Sequence, residues 1–279
     1  MGKLNVLYIV GLSRSGTTYL SKMLSEELHA VSIGESIKNI EIYSEEKELG
    51  RYRSENRKCT CGELPENCSF WSGLINNDSF RNDKDKFRSV LQKANELYGN
   101  ALIIDTSKTT KRLEEYYLKE LSEGNINLAC VNLIRHCYGQ INSYQKYHKK
   151  WKRKGIRSLV ITDAVYWLYK NYSNINFFKR RDIPVLTVFY EDTIFKRDEF
   201  SLVVSEFVGN TLTGYSKHKP LMHEMSGNEG FKQRGMEKIS YDSAWFYDKK
   251  LFWYSLLLWP MIIFNNRWYR RYRVDPEKP

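Results

Sequence analysis

Residues 4–18 read LNVLYIVGLSRSGTT, an apolar run followed by a loop with glycines at positions 11 and 16. The run 4–10 has the continuous hydrophobicity of a parallel strand that is buried on both faces. After the loop, Leu20, Met23, Leu24 and Leu28 recur at helical spacing, which predicts a helix from about residue 17 to 28. A strand, a glycine-containing loop and a helix in this order begin a nucleotide-binding α/β unit.

The rest of the chain continues the alternation of strands and helices. Further strands are predicted at 101–104, 127–133 and 184–189, and helices at 84–97, 110–121, 160–178 and 199–208. This alternation predicts an α/β fold with a P-loop-type central parallel sheet flanked by helices. No Pro/Gly/Ser-rich linker divides the 279 residues, so we predict a single domain, with an irregular insert or lid at about 40–80 and a C-terminal helical segment at about 250–279.

The loop at 11–16 has the glycine spacing of a Walker A loop but lacks its lysine. Thr17 stands where the lysine that contacts the β and γ phosphates is expected. Backbone N–H groups and the helix N-terminus can still bind a phosphate. The basic side chain lies inside the loop instead, at Arg14. This arrangement suits one phosphate that carries a transferable group better than it suits hydrolysis of a magnesium nucleoside triphosphate.

A second anion site is predicted from Arg135 and Ser143. Arg135 follows the strand at 127–133, and Ser143 lies about two turns into the next helix. An arginine offers a charged fork and a serine offers a small hydroxyl donor, so the two can converge on one anion. Together with the loop, this pair predicts a ligand that has two separated phosphate groups.

The two motifs resemble those of the PAPS-dependent sulfotransferases, which use 3′-phosphoadenosine 5′-phosphosulfate. The stretch RSGTT at 14–18 looks like the R/K-S-G-T-T pattern of the 5′-phosphosulfate loop. Arg135 with Ser143 looks like the R-x₇-S pattern for the 3′-phosphate. The arginine in the loop is similar to the bacterial and Golgi-type branch, which is related to the tyrosylprotein sulfotransferases. The segments DTSK at 105–108 and YED at 190–192 fit the same family.

This resemblance implies an activity and a set of donor-binding residues. Members of the family transfer the sulfuryl group of PAPS to a hydroxyl or amine of an acceptor and release PAP, and no metal is required. Arg14 would contact the 5′-phosphosulfate and stabilise charge on the leaving phosphate. The donor-binding residues implied are Arg14, Ser15, Gly16, Thr17, Thr18, Arg135 and Ser143.

The transfer also needs a base for the proton of the acceptor. The tyrosylprotein branch carries its base in a G-E segment at the same distance from the loop arginine, so the resemblance implies Glu35 as base. A surface carboxylate or a helix N-cap neighbour is the alternative at this position, and His136 and His148 are the alternative bases. Lys108 is a further cationic candidate for charge stabilisation, and Lys38 is a candidate for acceptor binding.

The charge of the chain favours an anionic ligand without choosing one. Lys and Arg number 44 against 33 Asp and Glu, which gives a net charge of +11. The acceptor stays open between a glycan, a lipid-linked sugar and a small molecule. A P-loop small-molecule or nucleotide kinase and a non-catalytic basic nucleotide- or nucleic-acid-binding protein are the alternative functions. No RRM, helix-turn-helix or OB signature is visible, so nucleic acid is not a predicted partner.

The ends of the chain bear on localisation. The N-terminus shows no secretory signal, so a cytoplasmic protein is predicted. The apolar stretch 251–264, LFWYSLLLWPMIIF, is too short to span a membrane and contains Pro260. A core helix that ends near this proline is predicted. Basic residues on both sides of the stretch leave peripheral association with the inner membrane face open.

The five cysteines fit a reducing compartment better than a disulfide framework. Three of them cluster in sequence at Cys59, Cys61 and Cys68. Zinc commonly takes four protein ligands, and the neighbouring sequence offers no fourth. A compact structural loop without metal is therefore predicted here, with a facultative disulfide and a metal site as alternatives.

Overall fold

Six parallel strands form the central sheet, seen in a computed structural model that describes residues 3–44, 58–75, 85–150, 160–212, 214–225, 241–255 and 257–273. The strands are β1 (Leu4–Gly11), β2 (Val31–Gly34), β3 (Leu102–Lys108), β4 (Ile126–Ile134), β5 (Val185–Phe189) and β6 (Leu221–Met222). Their order across the sheet is β5-β4-β1-β3-β2-β6, and each pairing between these strands is parallel. The predicted α/β fold with a central parallel sheet is confirmed.

The strand order creates a topological switch point between β1 and β4. The chain adds β2 and β3 on one side of β1, and β4 and β5 on the other. Open α/β sheets bind ligands outside the carboxyl ends of their strands at such a point. The loop 12–16 follows β1 and Arg135 follows β4. The topology therefore brings both predicted anion motifs to one crevice.

Helices cover both faces of the sheet. The described helices are α1 (Thr17–Glu27), α2 (Ser36–Ser44), α3 (Ser72–Ile75), α4 (Lys86–Tyr98), α5 (Thr110–Arg112), α6 (Leu118–Ser122), α7 (Cys137–Lys150), α8 (Val160–Lys179), α9 (Asp192–Phe195), α10 (Arg197–Thr211), α11 (Lys249–Ser255) and α12 (Trp259–Tyr272), with a π-helical turn at Leu113–Tyr117 and 3₁₀ turns at Pro65–Asn67 and Ala244–Tyr247. Successive side chains of a strand point to opposite faces. Accordingly, Leu7 and Ile9 of β1 pack with α1 and α10, whereas Val6, Tyr8 and Val10 pack with α4.

The segment predicted as an irregular insert is in part helical and buried. Its first residues belong to α2, which continues to Ser44. Phe70 and Trp71 are fully buried, and Cys59 and Cys68 join them in the core cluster on the α4 side of the sheet. Residues 45–57 and 76–84 of this segment lie outside the described residues. The described part therefore packs onto the edge of the sheet.

The C-terminal apolar stretch differs from the prediction of a core helix that ends near Pro260. Two helices occupy it, and Pro260 lies in the first turn of α12, where its missing N–H costs no helical hydrogen bond. Several large apolar side chains point to solvent, each at least half exposed: Phe252, Trp253, Leu257, Trp259 and Ile263. Among the described residues, no helix combines the length and apolarity needed to cross a bilayer.

Candidate active site

The loop after β1 has a backbone that presents its amides at the start of α1. The N–H of Ser15 donates to the carbonyl of Leu12 over 3.1 Å, which closes the turn. Arg14 and Gly16 both adopt left-handed backbone conformations, with φ of 68° and 103°. A Cβ at Gly16 would lie 2.4 Å from the ring of Tyr190. Only glycine fits there, because both its backbone conformation and its close approach to the ring exclude a side chain.

Arg14 is directed from this loop toward α7. Its Nε donates to Oγ of Ser143 over 3.1 Å, and its guanidinium lies 5.7 Å from the ring centre of Tyr147. Burial lowers the pKa of Arg14, and the neighbouring charge of Arg135 lowers it further. Two positive groups held together in a partly buried place favour the binding of an anion.

Arg135 is fixed from several sides beside the loop. Its Nη1 donates to the carbonyl of Arg14 over 3.0 Å, and its guanidinium lies 4.8 Å from the ring centre of Tyr190. The indole Nε1 of Trp167 donates to the Arg135 carbonyl over 3.0 Å. The carboxylate of Asp242 lies 3.8 Å from Nη2. The structure thus brings Arg14, Arg135 and Ser143 into one cluster, as the sequence motifs predict.

Several donors of this cluster are buried without a hydrogen-bond partner among the described residues. They are Nε and Nη2 of Arg135 and the hydroxyl of Ser15. Buried polar groups are nearly always hydrogen-bonded in folded proteins, so unpaired donors at one place point to a ligand with acceptor atoms. A phosphate supplies such acceptors, and the donors therefore fit the nucleotide phosphates that the sequence motifs imply.

Thr17 and Thr18 begin α1 at the same loop. The side chain of Thr17, at the place of the Walker lysine, is buried, and its methyl group would lie 3.0 Å from a Cβ at Gly11. Thr18 is partly exposed. A lysine at position 17 would have to fit into this packed region. The loop is therefore built around a small residue, and its charge comes from Arg14.

Glu35 lies at the carboxyl end of β2 and is buried, with 6% of its surface exposed. Oε1 accepts a hydrogen bond from Nζ of Lys108, the last residue of β3, and Oε2 lies 3.5 Å from Nζ of Lys38. Burial acts to raise the pKa of Glu35, but Lys108 and then Lys38 outweigh it, so the pKa lies below its ordinary value. Glu35 is consequently ionised at neutral pH and able to accept a proton.

A buried network fixes the relative positions of Glu35 and Lys108. The hydroxyl of Ser36 donates to Oδ2 of Asp105, and the N–H of Ser107 donates to Oδ1 over 2.6 Å. The N–H of Ile37 donates to the hydroxyl of Ser107 over 3.2 Å. The DTSK segment therefore interlocks with the residues that follow Glu35. Sequence reasoning identified this segment by resemblance but missed its scaffold role.

The side chain of Lys108 is directed to Glu35 by its backbone. Lys108 has a φ of 69°, a left-handed conformation that is uncommon for a residue with a side chain. Gly34, before Glu35, also has a positive φ, and a Cβ there would lie 2.8 Å from Cγ of Glu224. Left-handed residues of this kind concentrate at functional sites, where the surrounding structure stabilises them.

An aromatic cleft lies beside Arg135. It has a volume of about 690 Å³ and is lined by His136, Phe195, Tyr241, Ser243, Trp245 and Phe246. The imidazole of His136 stacks on Trp245 with 4.7 Å between ring centres. Burial and then Arg135 lower the pKa of His136 to about 4, so the ring is neutral at pH 7. The segment 241–247 that supplies most of this lining carries no local motif, and sequence reasoning missed it.

The structure favours neither of the two alternative histidines over Glu35 as the base. His136 is held in the aromatic cleft by stacking, and its backbone N–H donates to the carboxylate of Glu191. The side chain of His148 lies outside the described residues. Of the two predicted bases whose side chains are described, Glu35 and His136, Glu35 is the one that lysines contact. Lys108 lies at one of its carboxylate oxygens and Lys38 at the other.

Comparison with known proteins gives matches to solved structures only. No protein-family model matches the chain, and no curated protein matches it. The sulfotransferase domain from the curacin biosynthetic pathway is 15% identical, with a TM-score of 0.48 over 87% of this chain and 93% of that chain. The sulfotransferase domain of the Synechococcus PCC 7002 olefin synthase is 16% identical, with a TM-score of 0.48 over 87% of this chain and 91% of that chain.

A third similar structure is described as an enzyme of a different class. A presumed kinase from Chloroflexus aurantiacus is 12% identical, with a TM-score of 0.42 over 76% of this chain and 100% of that chain. Because the identities and TM-scores are this low, the similarities say nothing about the activity of this chain. The function has to follow from the residues of its own site.

Proposed function

We propose that this protein is a PAPS-dependent sulfotransferase of the bacterial and Golgi-type branch. It transfers the sulfuryl group of PAPS to a hydroxyl or amine of an acceptor, which is a glycan, a lipid-linked sugar or a small molecule, and releases PAP. The observation that carries this proposal is the pairing of the partly buried Arg14 with the buried Arg135 at a phosphate loop that lacks the Walker lysine.

The donor half of the site lies at the switch point between β1 and β4. Backbone amides of the loop at 15–18 and the hydroxyl of Ser15 bind the 5′-phosphosulfate, and Arg14 stabilises charge on the leaving phosphate. Arg135 and Ser143 bind the 3′-phosphate. PAPS supplies the activated sulfuryl group, and the unpaired donors of Ser15 and Arg135 supply hydrogen bonds for its phosphates.

The acceptor half lies on the other side of β1. Glu35 accepts the proton of the acceptor hydroxyl or amine at one of its carboxylate oxygens, and Lys108 keeps this carboxylate ionised and in place. Two strand spacings, about 10 Å, separate the end of β2 from the end of β1 in the sheet order. This separation leaves room for an acceptor group between the base and the donor.

The aromatic cleft beside Arg135 is suited to the adenine ring. Flat bases stack well on aromatic side chains, and the stacked pair of His136 and Trp245 offers such a face. A ring bound there would lie next to the arginine assigned to the 3′-phosphate. Because His136 is neutral, it places no further positive charge beside the adenine ring.

A kinase is the competing enzyme, and the loop itself favours sulfuryl transfer. A magnesium-dependent kinase with this loop needs the Walker lysine, and the buried Thr17 occupies its place. Calorimetry with PAPS in the presence of a chelator, against ATP with Mg²⁺, separates the two functions. We expect PAPS and PAP to bind without Mg²⁺. Mg²⁺-dependent ATP binding without PAPS affinity would identify the kinase instead.

Transfer itself is tested with labelled PAPS and a panel of glycans, phenols, lipid-linked sugars and amines. Release of PAP that depends on one acceptor class demonstrates the activity and identifies the acceptor. PAPS binding without transfer to any class would leave a nucleotide-binding protein. Salt-sensitive oligonucleotide binding without PAPS affinity would support a nucleic-acid-binding function.

We also propose that the protein associates peripherally with an anionic membrane face. Trp253 on α11, Leu257 in the turn before α12 and Trp259 at the start of α12 are exposed, and Arg267 and Arg270 on α12 are exposed as well. Tryptophan beside basic residues is the composition of interfacial helices, which insert their apolar side chains among headgroups. A lipid-linked acceptor would be reached from such a surface.

A further inference from the structure

Four side chains from distant parts of the sequence meet at the β6 edge of the sheet. The thiols of Cys59, Cys61 and Cys68 and the imidazole of His223 place one ligand atom each within 4.8 Å of one another. Sequence reasoning found no fourth ligand near the cysteines, because His223 follows Cys68 only after 155 residues. We propose that these four residues bind one Zn²⁺ ion in a structural site.

Two of the distances between ligand atoms are close to those of a tetrahedral zinc site. Zn–S bonds of about 2.3 Å and Zn–N bonds of about 2.0 Å at tetrahedral angles put neighbouring ligand atoms about 3.5 to 3.8 Å apart. Sγ of Cys68 lies 3.6 Å from Sγ of Cys59 and 3.3 Å from Nδ1 of His223. A disulfide would need about 2.05 Å between sulfurs, so Cys59 and Cys68 are not bonded to each other, and both are free thiols.

The backbone holds the cysteine turn in place independently of the thiols. The N–H of Gly62 donates to the carbonyl of Cys59 over 2.9 Å, and the N–H of Cys59 donates to the carbonyl of Glu63 over 2.8 Å. Gly62 has a φ of 96°, which permits the tight reversal between Cys59 and Glu63. The turn therefore presents the two thiols of a short C-x-C segment to one side.

The chain around His223 is attached to this turn on both sides. The hydroxyl of Thr60 donates to the carbonyl of Met222 over 2.7 Å and accepts from the N–H of Glu224 over 2.9 Å. The indole of Trp71 donates to the carbonyl of His223 over 2.7 Å. These hydrogen bonds position the imidazole relative to the cysteines before a metal binds, as a preorganised site requires.

Packing fixes the orientation of the His223 ring. The ring stacks near Phe70 and Tyr98, at 5.7 and 6.0 Å between centres, and it is 98% buried, since only 2% of the residue is exposed. Nδ1 faces Cys68, and Nε2 has no hydrogen-bond partner among the described residues. A buried imidazole held against three thiols is the donor set of a Cys₃His zinc site.

The proposed ion has a structural role and does not rest on the proposed function. Four protein ligands close the coordination sphere, whereas catalytic zinc keeps one position open. The ion would join the segment at 59–68 to the strand β6. Next to His223, the carboxylate of Glu224 accepts from the hydroxyls of Ser21 and Ser32. Zinc at this edge therefore stabilises the end of β2, immediately before Glu35.

The experiment measures zinc in the full chain after expression with added Zn²⁺ and gel filtration. Elemental mass spectrometry should find one zinc per chain, and His223→Asn and Cys61→Ser should each lose most of it. Cys130→Ala and His218→Asn are the matched controls, because Cys130 and His218 lie outside the cluster. They should retain the zinc content of the wild type.

A second measurement on the wild-type chain guards against variants that do not fold. Co²⁺ added after removal of zinc should give the intense visible bands of a tetrahedral site together with thiolate-to-cobalt charge transfer. Octahedral Co²⁺ without charge transfer, or no bound zinc together with five titratable thiols, would overturn the proposal. A disulfide between two of the three cysteines, seen as two fewer thiols than the five in the sequence, would also overturn it.

Discussion

Nζ of Lys108 donates a hydrogen bond to Oε1 of Glu35, and this contact connects the carboxyl ends of the adjacent strands β3 and β2. Both residues are candidates for catalysis from the sequence, where 73 positions separate them. The structure makes them a pair. The positive charge of Lys108 keeps Glu35, the proposed base, ionised by lowering its pKa. The pH dependence of turnover should therefore depend on both residues.

Removal of the Glu35 carboxylate should abolish most turnover and preserve donor binding. A general base contributes about 10²- to 10⁴-fold to a rate, and we expect Glu35→Gln to lower kcat by that order. Calorimetry should show PAPS affinity like that of the wild type, because the donor cluster lies at β1 and β4. Full activity of Glu35→Gln would exclude Glu35 as the base.

Loss of the Lys108 charge should move the acidic limb of the rate profile to higher pH. Burial then acts on the pKa of Glu35 with only the weaker effects of Lys38 and Arg112 to oppose it. The measurement is kcat/KM against pH for Lys108→Met, with Lys38→Met as the matched control that should move the limb less. Equal shifts in the two variants would contradict the assigned pairing.

Arg14 should affect the transfer step more strongly than the exposed arginines do. Removal of one charge-stabilising donor costs about 10²- to 10³-fold in kcat, so Arg14→Ala should lose activity by that order. Arg197→Ala, which removes an exposed ion pair with Glu27, is the control. Steady-state kinetics that show equal activity for the two variants would remove Arg14 from the mechanism.

Arg135 and Ser143 should discriminate between nucleotides with and without a 3′-phosphate. Charge-assisted hydrogen bonds contribute enough to change affinity by about tenfold to hundredfold. Arg135→Met should therefore weaken PAP binding by that order and change 5′-AMP binding little, and Ser143→Ala should do so to a smaller degree. Arg181→Met, at an exposed pair with Glu114, is the control. Equal losses of affinity for PAP and 5′-AMP would mean that Arg135 and Ser143 contact a part of the nucleotide other than its 3′-phosphate.

Local patterns were sufficient to predict that Arg14, Arg135 and Ser143 lie close together. The apolar run, the glycine spacing and Arg14 all lie within residues 4–18, and Arg135 and Ser143 are joined by one strand end and one helix. In a parallel sheet, such strand ends meet at one edge, so local motifs are sufficient to place these residues together. The structure accordingly brings Ser143 within hydrogen-bonding distance of Arg14.

Contacts across long sequence separations could not be predicted in this way. His223 completes the cysteine cluster, and Ser36 donates a hydrogen bond to Asp105 across 69 positions. No periodic pattern in the sequence indicates either contact. The prediction for Pro260 was wrong for a different reason. A proline can end one helix or occupy the first turn of the next, and the apolar residues on both sides of it gave no means to distinguish the two.

The exposed aromatic residues of the C-terminal helices should bind anionic vesicles. Co-sedimentation with vesicles of phosphatidylcholine and phosphatidylglycerol should exceed that with phosphatidylcholine alone and should fall as salt rises. The double variant Trp253→Ala/Trp259→Ala should lose most binding. Leu202→Ala, a similarly exposed position on α10, is the control. Thermal melting should show little change in any variant, and equal vesicle binding by all three proteins would contradict the proposal.

Glu191 should make folding stability depend on pH near neutrality. Its carboxylate accepts from the N–H of His136, and burial raises its pKa to about 7 from the ordinary 4.5. Between these values the unfolded chain has lost the proton and the folded chain keeps it, so the contribution of Glu191 to stability falls as pH rises. His136, with its pKa lowered from the ordinary 6.5 to about 4, gives the opposite slope between these values and partly masks this fall in the wild type.

Comparison with Glu191→Gln isolates the effect, because Gln keeps an acceptor for His136 and does not titrate. Urea unfolding from pH 4.5 to pH 7.5 should show that the stability of this variant relative to the wild type rises with pH, by up to about 3 kcal/mol. His136 is present in both proteins and cancels in the difference. A difference that is flat across this range would mean that Glu191 is ionised in the folded chain throughout, and that Arg135 beside it, rather than burial, sets its pKa.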